Sequence, residues 1–307
     1  MSALTTLPLS CYVPDAFAGF RPAADFDLGI ARAMMWMSQL AYETVDPDKV
    51  AAIGERWGLR TQVVDGARLG LARTQAVVAR RADGTAIVAF AGTDPVEAAD
   101  WVSDFDCYLD PATGVARGYQ RAAAVVMGQL AAMLDPAAPL FVAGHSLGGA
   151  LAVVASGQLA AGGIRPLAVH TFGMPRAGSA AFAARYDAAL GSCTYRLVHG
   201  DDMVPTVAPS FLGFRHVGRY LSCLRGMRFD GGAMAAAGAS DEPAFRIDGI
   251  GRLTGNGLPV GAVMEAFGLD RTARRLASVA LDFLPSGIRD HLPDRYLAGF
   301  GDRVDAG

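Results

Sequence analysis

A tight glycine-rich turn with a serine at its centre joins two apolar runs of this chain. Residues 144–149 read Gly-His-Ser-Leu-Gly-Gly and match the pattern Gly-x-Ser-x-Gly. The run before the turn (139–143) predicts a buried strand, and the run after it (150–155) predicts a helix. A serine on such a strand–turn–helix is typical of a nucleophile elbow, in which the flanking residues must lack bulk. The sequence therefore predicts that Ser146 is a nucleophile.

The same pattern has a simpler interpretation. Because 37 of the 307 residues are glycine, Gly-x-Ser-x-Gly can arise by chance as a strand–helix turn with an incidental serine. The flanking strand and helix, together with partner residues further along the chain, favour the catalytic interpretation.

Composition excludes several classes of protein. A hydrophobic content of 52% and a mean hydropathy of +0.27 predict a large core and argue against disorder. The net charge of −3 and the absence of a basic stripe argue against a nucleic-acid partner. No apolar run reaches the length of about 18 residues that a membrane span needs. The N-terminus lacks the basic region of a secretory signal, so we leave open a cytoplasmic protein and a secreted mature form.

The four cysteines lie far apart in the chain and form no Cys-x-x-Cys pair: Cys11, Cys107, Cys193 and Cys223. This spacing predicts neither a zinc site nor a redox motif. We expect free, partly buried thiols, with two long-range disulfides as the alternative for an exported protein.

Strand and helix patterns alternate along the chain, which predicts an α/β fold with a mixed sheet. The predicted strands are 60–64, 72–80, 85–90, 140–143, 167–172 and 194–199, with a hairpin turn at 82–84. The predicted helices are one that Asp27 caps, then 48–57, 95–106, 118–134, one from the elbow to about 161, 177–190 and 271–284. We expect a single domain over 1–307, with an irregular N-terminal segment (1–23) and an insertion or cap (224–288).

Several further segments agree with one known family in order and approximate spacing. They are 90–93 (Phe-Ala-Gly-Thr), 100–104 (Asp-Trp-Val-Ser-Asp), 171–178 (Thr-Phe-Gly-Met-Pro-Arg-Ala-Gly), 202–205 (Asp-Met-Val-Pro) and 290–296 (Asp-His-Leu-Pro-Asp-Arg-Tyr). Together with the elbow they resemble the class 3 lipases, the fungal triacylglycerol lipase-like group with its bacterial members. The resemblance implies an α/β-hydrolase fold with a mixed, mostly parallel sheet, helices on both faces and a C-terminal helical elaboration. It also implies carboxylic ester hydrolysis by a Ser–Asp–His triad through an acyl-enzyme, without cofactor or metal.

A serine nucleophile needs a base, and the chain has five histidines. His145 is less suited because it lies inside the elbow and should point away from Ser146. His170 and His199 are less suited because they lie on predicted strands. We interpret His170 as a core histidine whose hydrogen bonds are satisfied. The family places its catalytic histidine in a segment like 290–296, which implies His291, and His216 stays as the alternative.

The base in turn needs a carboxylate that orients it. Asp201 and Asp202 follow a predicted strand, and only one of two adjacent side chains can face the site. The resemblance implies Asp202, which stands two residues before Val204-Pro205. Asp201 is then a turn residue or a partner of the loop. The order Ser146, Asp202, His291 is that of α/β-hydrolases.

The reaction also needs donors for the oxyanion of the tetrahedral intermediate. We expect one from the backbone N–H of Leu147 and one from Thr93, in the loop after strand 85–90. The alternative for Thr93 is a strand exit with a helix cap. We interpret three residues further on as structural clamps of this loop: Asp100, Trp101 and Asp104.

The expected substrate is a lipid ester, in particular an acylglycerol. Segment 94–100 is acidic and small, so any apolar cover or interfacial patch is expected in 258–284, where an ordinary core helix is the alternative. A phospholipase and a short-chain esterase remain open as enzymes. A catalytically inactive lipid-binding protein remains open as a different class.

Overall fold

The computed structural model describes residues 5–69, 72–93, 106–231 and 286–304. Its centre is a seven-stranded sheet in the order β1-β2-β3-β4-β5-β7-β9, and β6 pairs with β8 in a small second sheet. The strands are β1 (Leu59–Leu69), β2 (Ala72–Arg81), β3 (Ala86–Phe90), β4 (Leu140–His145), β5 (Ala168–Phe172), β6 (Gly178–Ser179), β7 (Thr194–His199), β8 (Phe214–Arg215) and β9 (Arg219–Cys223).

The central sheet is mixed. Strands β1, β2 and β3 pair antiparallel, and the remaining neighbours from β3 to β9 pair parallel. The predicted mixed, mostly parallel sheet is thus confirmed. Because parallel strands end at one edge, the residues after β3, β4, β5, β7 and β9 meet there.

Helices cover both faces of the sheet. They are α1 (Leu28–Leu40), α2 (Pro47–Arg56), α3 (Arg117–Met133), α4 (Leu147–Ala161), α5 (Ala180–Leu190), α6 (Ser286–Arg289) and α7 (Pro293–Gly299). Side chains alternate along β3, so that Val88 packs in a core with α3, α4 and α5, and Ile87 packs in a core with α1, α2 and α7. Burial on both faces explains why these strands read as continuous apolar runs.

Local signals placed several elements correctly. Asp27 caps α1, because its Oδ1 accepts hydrogen bonds from the backbone N–H groups of Gly29 and Ile30 at 2.8 and 3.1 Å. Strand β9 was missed, and the predicted helix 177–190 begins only at Ala180, after the short strand β6. The predicted helices 95–106 and 271–284 lie outside the described residues, apart from residue 106.

The irregular N-terminal segment is part of the core. Residues 5–23 contain one short turn of 3-10 helix, Leu9–Cys11. Three of the segment's aromatic side chains are nevertheless buried: Tyr12, Phe17 and Phe20. The Nε2 amide of Gln39 also donates to the carbonyl of Thr5 at 2.6 Å, which ties the segment to α1.

Two absences hold for the described parts of the chain. None of the helices there is long and apolar enough to cross a bilayer. The four cysteines are free: Cys193 and Cys223 are buried, and Cys11 and Cys107 are half-buried.

Candidate active site

The turn that carries Ser146 has the geometry of an elbow. Ser146 lies between β4 and α4 with φ 58° and ψ −131°, a conformation that costs energy for a residue with a side chain. A Cβ atom on Gly144 would lie 2.1 Å from the carbonyl oxygen of Gly148, and one on Gly148 would lie 2.3 Å from that of Phe90. The flanking positions therefore admit only glycine. The N–H of Ser146 donates to the carbonyl of Phe172 at 2.8 Å, which fixes the turn to β5.

The structure brings Ser146, His291 and Asp202 into one chain of hydrogen bonds. Oγ of Ser146 lies 2.8 Å from Nε2 of His291, and Nδ1 of His291 lies 2.9 Å from Oδ2 of Asp202. Because a carboxylate only accepts, we assign the proton of a neutral imidazole to Nδ1. The free electron pair of Nε2 then faces the hydroxyl of Ser146.

Asp202 is buried and accepts three hydrogen bonds. Besides Nδ1–H of His291, its Oδ2 accepts from the hydroxyl of Tyr296 at 2.5 Å, and its Oδ1 accepts from the N–H of Val204 at 2.9 Å. Burial and the charge of Asp202 raise the pKa of Tyr296 well above its ordinary value, so the phenol stays a donor. Gly173 lets the backbone come close, because a Cβ there would lie 2.6 Å from Oδ2 of Asp202.

His145 supports the loop that carries His291. Its Nε2 lies 2.7 Å from the carbonyl oxygen of His291, and its Nδ1 lies 2.7 Å from the hydroxyl of Tyr42. Burial, followed by the neighbouring His291, lowers the pKa of His145 well below 6.5. The neutral ring must donate from Nε2 to the carbonyl, so Nδ1 accepts from Tyr42. Both ring nitrogens thus have partners other than Ser146.

An ion pair joins the loops that carry Asp202 and His291. Asp290 is buried, and its Oδ2 accepts from the N–H of Asp201 at 2.8 Å and from Nε and Nη2 of Arg225 at 2.9 and 2.8 Å. The side chain of Asp201 is 71% exposed and pairs with Arg225 at 2.7 Å. Asp201 therefore faces solvent, and Asp202 is the carboxylate that contacts His291.

The other histidines lie elsewhere. His216 has Nε2 2.9 Å from the carbonyl oxygen of Pro205, and burial, with the positive charge of nearby arginines, lowers its pKa well below 6.5. Its ring is thus bonded to the carbonyl of Pro205, whereas the hydroxyl of Ser146 is bonded to His291. His170 is fully buried, and burial lowers its pKa to about 3. Neither of its ring nitrogens has a hydrogen-bond partner among the described residues, so the expectation of a satisfied histidine was wrong.

The expected oxyanion donors lie at the same edge of the sheet. Leu147 is the first residue of α4, and an N–H in the first turn of a helix has no partner within that helix. A Cβ on Gly92 would lie 3.1 Å from Cβ of Ser146, so the chain leaving β3 passes against the elbow just before Thr93. The other residues predicted around this loop lie outside the described ranges: 94–100, Asp100, Trp101, Asp104 and the apolar stretch 258–284.

Three supporting residues were missed by sequence reasoning. Tyr42 and Arg225 carry no local pattern that marks them. Tyr296 stood in the segment that carried the resemblance, but no role was assigned to it.

In the described ranges, no three His, Cys, Asp or Glu side chains are grouped so that they could hold a metal ion.

Known proteins match part of this chain, and the matched range of the family model contains Ser146 and Asp202. The family model described as Lipase (class 3) matches residues 87–212. Secreted mono- and diacylglycerol lipase 1 of Fusarium solani is 30% identical over 183 residues, which cover 56% of this chain and 51% of that protein. Secreted mono- and diacylglycerol lipase LIP4 of Malassezia restricta is 46% identical over 77 residues, 24% of this chain and 25% of that protein. The chain thus spans about half the length of the first relative and a quarter of the second.

Solved structures share the architecture. The native lipase propeptide complex of Rhizomucor miehei superposes with a TM-score of 0.54 at 24% identity, over 68% of this chain and 70% of that one. A triacylglycerol lipase whose catalytic centre is formed by a serine protease triad gives a TM-score of 0.51 at 26% identity, over 62% and 78% of the two chains. The first likeness is one of fold alone.

Proposed function

Because this chain belongs to the class 3 lipase family and has the α/β-hydrolase fold, we propose that it is a serine carboxylic-ester hydrolase acting on acylglycerols. The observation that carries the proposal is the relay in which His291 lies 2.8 Å from Oγ of Ser146 and 2.9 Å from Oδ2 of Asp202. A serine hydroxyl is a weak nucleophile unless a base takes its proton, and this arrangement supplies one.

In the proposed reaction, Ser146 is the nucleophile and His291 the general base. Nε2 of His291 takes the hydroxyl proton while Oγ attacks the ester carbonyl carbon, and Asp202 stabilises the imidazolium that forms. The imidazolium then gives the proton to the leaving alkoxide, so an alcohol departs and an acyl-enzyme remains. Water, activated by the same base, releases the fatty acid and restores Ser146.

The tetrahedral intermediates need donors for their oxyanion. We assign this role to the backbone N–H of Leu147 and to Thr93. The place of Leu147 at the start of α4 supports its part, because its N–H is free of the helix ladder. For Thr93, the support is the close passage of Gly92 beside Ser146. Removing one such donor typically costs a factor of about 10² to 10³ in rate.

The choice of acylglycerols follows the relatives, which are mono- and diacylglycerol lipases by name. A phospholipase and a short-chain esterase would use the same relay, so the substrate class is decided by experiment. The inactive lipid-binding protein is disfavoured, because the hydroxyl, imidazole and carboxylate are all present and in contact.

Labelling with a fluorophosphonate tests the nucleophile and the base. The wild-type chain should be labelled, and Ser146→Ala should not. His291→Ala should lose labelling and turnover, whereas the matched variant His216→Ala should keep both. A folded wild-type chain that is not labelled would favour the binding protein, and loss of turnover in His216→Ala alone would overturn the choice of base.

A substrate series tests the class. Nitrophenyl esters of increasing acyl length, with and without detergent, separate a lipase from a short-chain esterase. Dioleoylglycerol and dioleoylphosphatidylcholine in matched dispersions separate an acylglycerol lipase from a phospholipase. We expect long-chain esters and dioleoylglycerol to be preferred. Preference for acetate or butyrate esters would refute the lipase assignment while leaving the relay intact.

A further inference from the structure

Five arginines line one cavity beside the loop that carries His291. The cavity has a volume of about 400 Å³ and lies among the loop after β9, the turn between α6 and α7, and the end of α7. We call it the arginine cavity; its arginines are Arg225, Arg228, Arg289, Arg295 and Arg303. Asp290 and Asp302 are the two carboxylates in its wall, and His199 is its one histidine.

Asp290 is paired with one of the cavity arginines, and Asp302 is paired with an arginine outside the cavity. Asp290 accepts from Arg225 and from the N–H of Asp201. Asp302 accepts two hydrogen bonds from Arg32, at 2.8 and 2.7 Å, and one from the indole of Trp36 at 2.8 Å. These carboxylates therefore neutralise little of the remaining positive charge.

Two of the arginines are without a carboxylate partner in the described part of the chain. These are Arg228, whose guanidinium lies against Gly301, and Arg303. Holding several guanidinium groups around one space costs electrostatic free energy unless an anion or solvent compensates them. A planar guanidinium offers paired N–H donors that match the oxygens of phosphate or carboxylate.

The polar lining of the cavity also favours a small, polar anion. Met227 and Ala298 are its only apolar side chains among the described residues, so an acyl chain finds little to pack against. Buried His199 adds a polar group, and its Nδ1 has no hydrogen-bond partner within the described ranges. A compact, polar oxyanion fits this wall better than a fatty acid does.

The loop after β9 has the composition of a lipid-contacting segment. It reads Leu-Arg-Gly-Met-Arg over 224–228, and the side chains of Leu224 and Met227 are 77% and 60% exposed. Apolar side chains that alternate with arginines suit an anionic bilayer surface, where the first enter the interface and the second meet phosphate groups. Because β9 runs parallel to β4 and β7, this loop leaves the sheet at the same edge as Ser146 and Asp202.

We propose that the arginine cavity binds the phosphate group of an anionic phospholipid while Leu224 and Met227 enter the lipid surface. The cavity thereby anchors the catalytic edge of the protein on the aggregate that contains its substrate. Phosphatidylcholine suits the cavity less, because its ammonium group would face the arginines. The role of the cavity as an anchor near the substrate rests on the proposed function. Binding of the lipid itself does not require turnover.

Vesicle co-sedimentation of the full chain tests the site, with Ser146→Ala as the background so that lipids are not consumed. Phosphatidylglycerol vesicles should bind it at least about tenfold more tightly than phosphatidylcholine vesicles. The double variant R228Q/R303Q should lose at least about tenfold of the binding to phosphatidylglycerol. The matched double variant R56Q/R60Q removes the same charge from exposed arginines of α2 and the edge strand β1, and should bind within about twofold of its parent.

Two further arms separate the sources of phosphate. Met227→Ser should weaken vesicle binding and leave the weak binding of inorganic phosphate, followed by calorimetry, unchanged. Circular dichroism and the unfolding temperature establish that each variant is folded.

Equal binding to the two kinds of vesicle, or equal losses in the two double variants, would overturn the proposal. Phosphate binding that depends on Arg228 and Arg303, without any preference for phosphatidylglycerol, would assign the cavity to a free anion and would also overturn it. Failure of fluorophosphonate labelling would refute the enzyme assignment and would not alter these binding results.

Discussion

Tyr296 and His291 donate to the same carboxylate oxygen. The hydroxyl of Tyr296 lies 2.5 Å, and Nδ1 of His291 2.9 Å, from Oδ2 of Asp202. Tyr296 and His291 are therefore coupled through one oxygen atom of Asp202. Because Tyr296 lies on α7, this hydrogen bond makes the helix part of the site.

We expect Tyr296→Phe to lower kcat about tenfold and to leave KM nearly unchanged, because Tyr296 is fully buried and contacts Asp202, not the surface that a substrate would meet. A hydrogen bond to a charged acceptor contributes about 1.5–3 kcal/mol, so the free energy of unfolding should fall by a comparable amount. Steady-state kinetics with a soluble nitrophenyl ester and urea unfolding measure the two effects. Unchanged kinetics and stability would show that the bond contributes nothing.

Asp290→Asn tests the ion pair that joins the two loops. Asp290 precedes His291 in the chain, and its charge holds Arg225 and the N–H of Asp201. The neutral amide should loosen the loop, so kcat and the rate of fluorophosphonate labelling should fall about fivefold to tenfold, in line with the loss of a charge-assisted hydrogen bond. The matched control is Asp201→Asn, which removes an exposed partner of the same arginine and should cost less than twofold, as surface pairs contribute little. Equal effects of the two variants would refute this role.

His170→Phe tests the pH dependence of stability. The folded-state pKa of about 3 lies below the unfolded value of 6.5, so below pH 6.5 the unfolded chain holds a proton that the folded chain lacks. Stability is therefore fully present above pH 6.5 and is lost as the pH falls towards about 3, at about 1.4 kcal/mol per pH unit.

The phenylalanine variant should remove this one-proton slope. At pH 7 it should be as stable as the wild type or more so, because a ring without hydrogen-bond partners is replaced by an apolar ring of similar shape. Urea unfolding at pH 5 and pH 7 measures both effects. If the stability of the variant changes between pH 5 and pH 7 as much as that of the wild type, His170 does not titrate as described.

Gly144→Ala tests the elbow. The added Cβ would meet the carbonyl oxygen of Gly148 at 2.1 Å, and backbone cannot move aside as a side chain can. We expect a loss of about 3 kcal/mol or more of unfolding free energy, together with loss of labelling. The matched control is Gly128→Ala on the exposed face of α3, where a Cβ meets nothing within 4 Å. This change should stabilise the protein by about 0.5–1 kcal/mol. Thermal unfolding measures both variants, and a Gly144→Ala variant as stable as Gly128→Ala would contradict the steric argument.

Local sequence determined much of the architecture. The apolar runs of β3, β4, β5 and β7, the elbow glycines and the cap of α1 by Asp27 could all be predicted, because each depends on neighbours within a few residues. The short strand β9 could not, because its five residues become a strand only through pairing with β7. The contacts of the candidate site follow the same division.

The sequence by itself pointed to Ser146 and limited the partners to a few aspartates and histidines. The tertiary structure decided which of them meet: Asp202 rather than Asp201, and His291 rather than His216. These contacts join residues 89 and 145 positions apart, so no local pattern can encode the distance between them. The support from Tyr42, Tyr296 and Arg225, and the arginine cavity, arise in the same way, because segments that are distant in the sequence meet only in the folded chain.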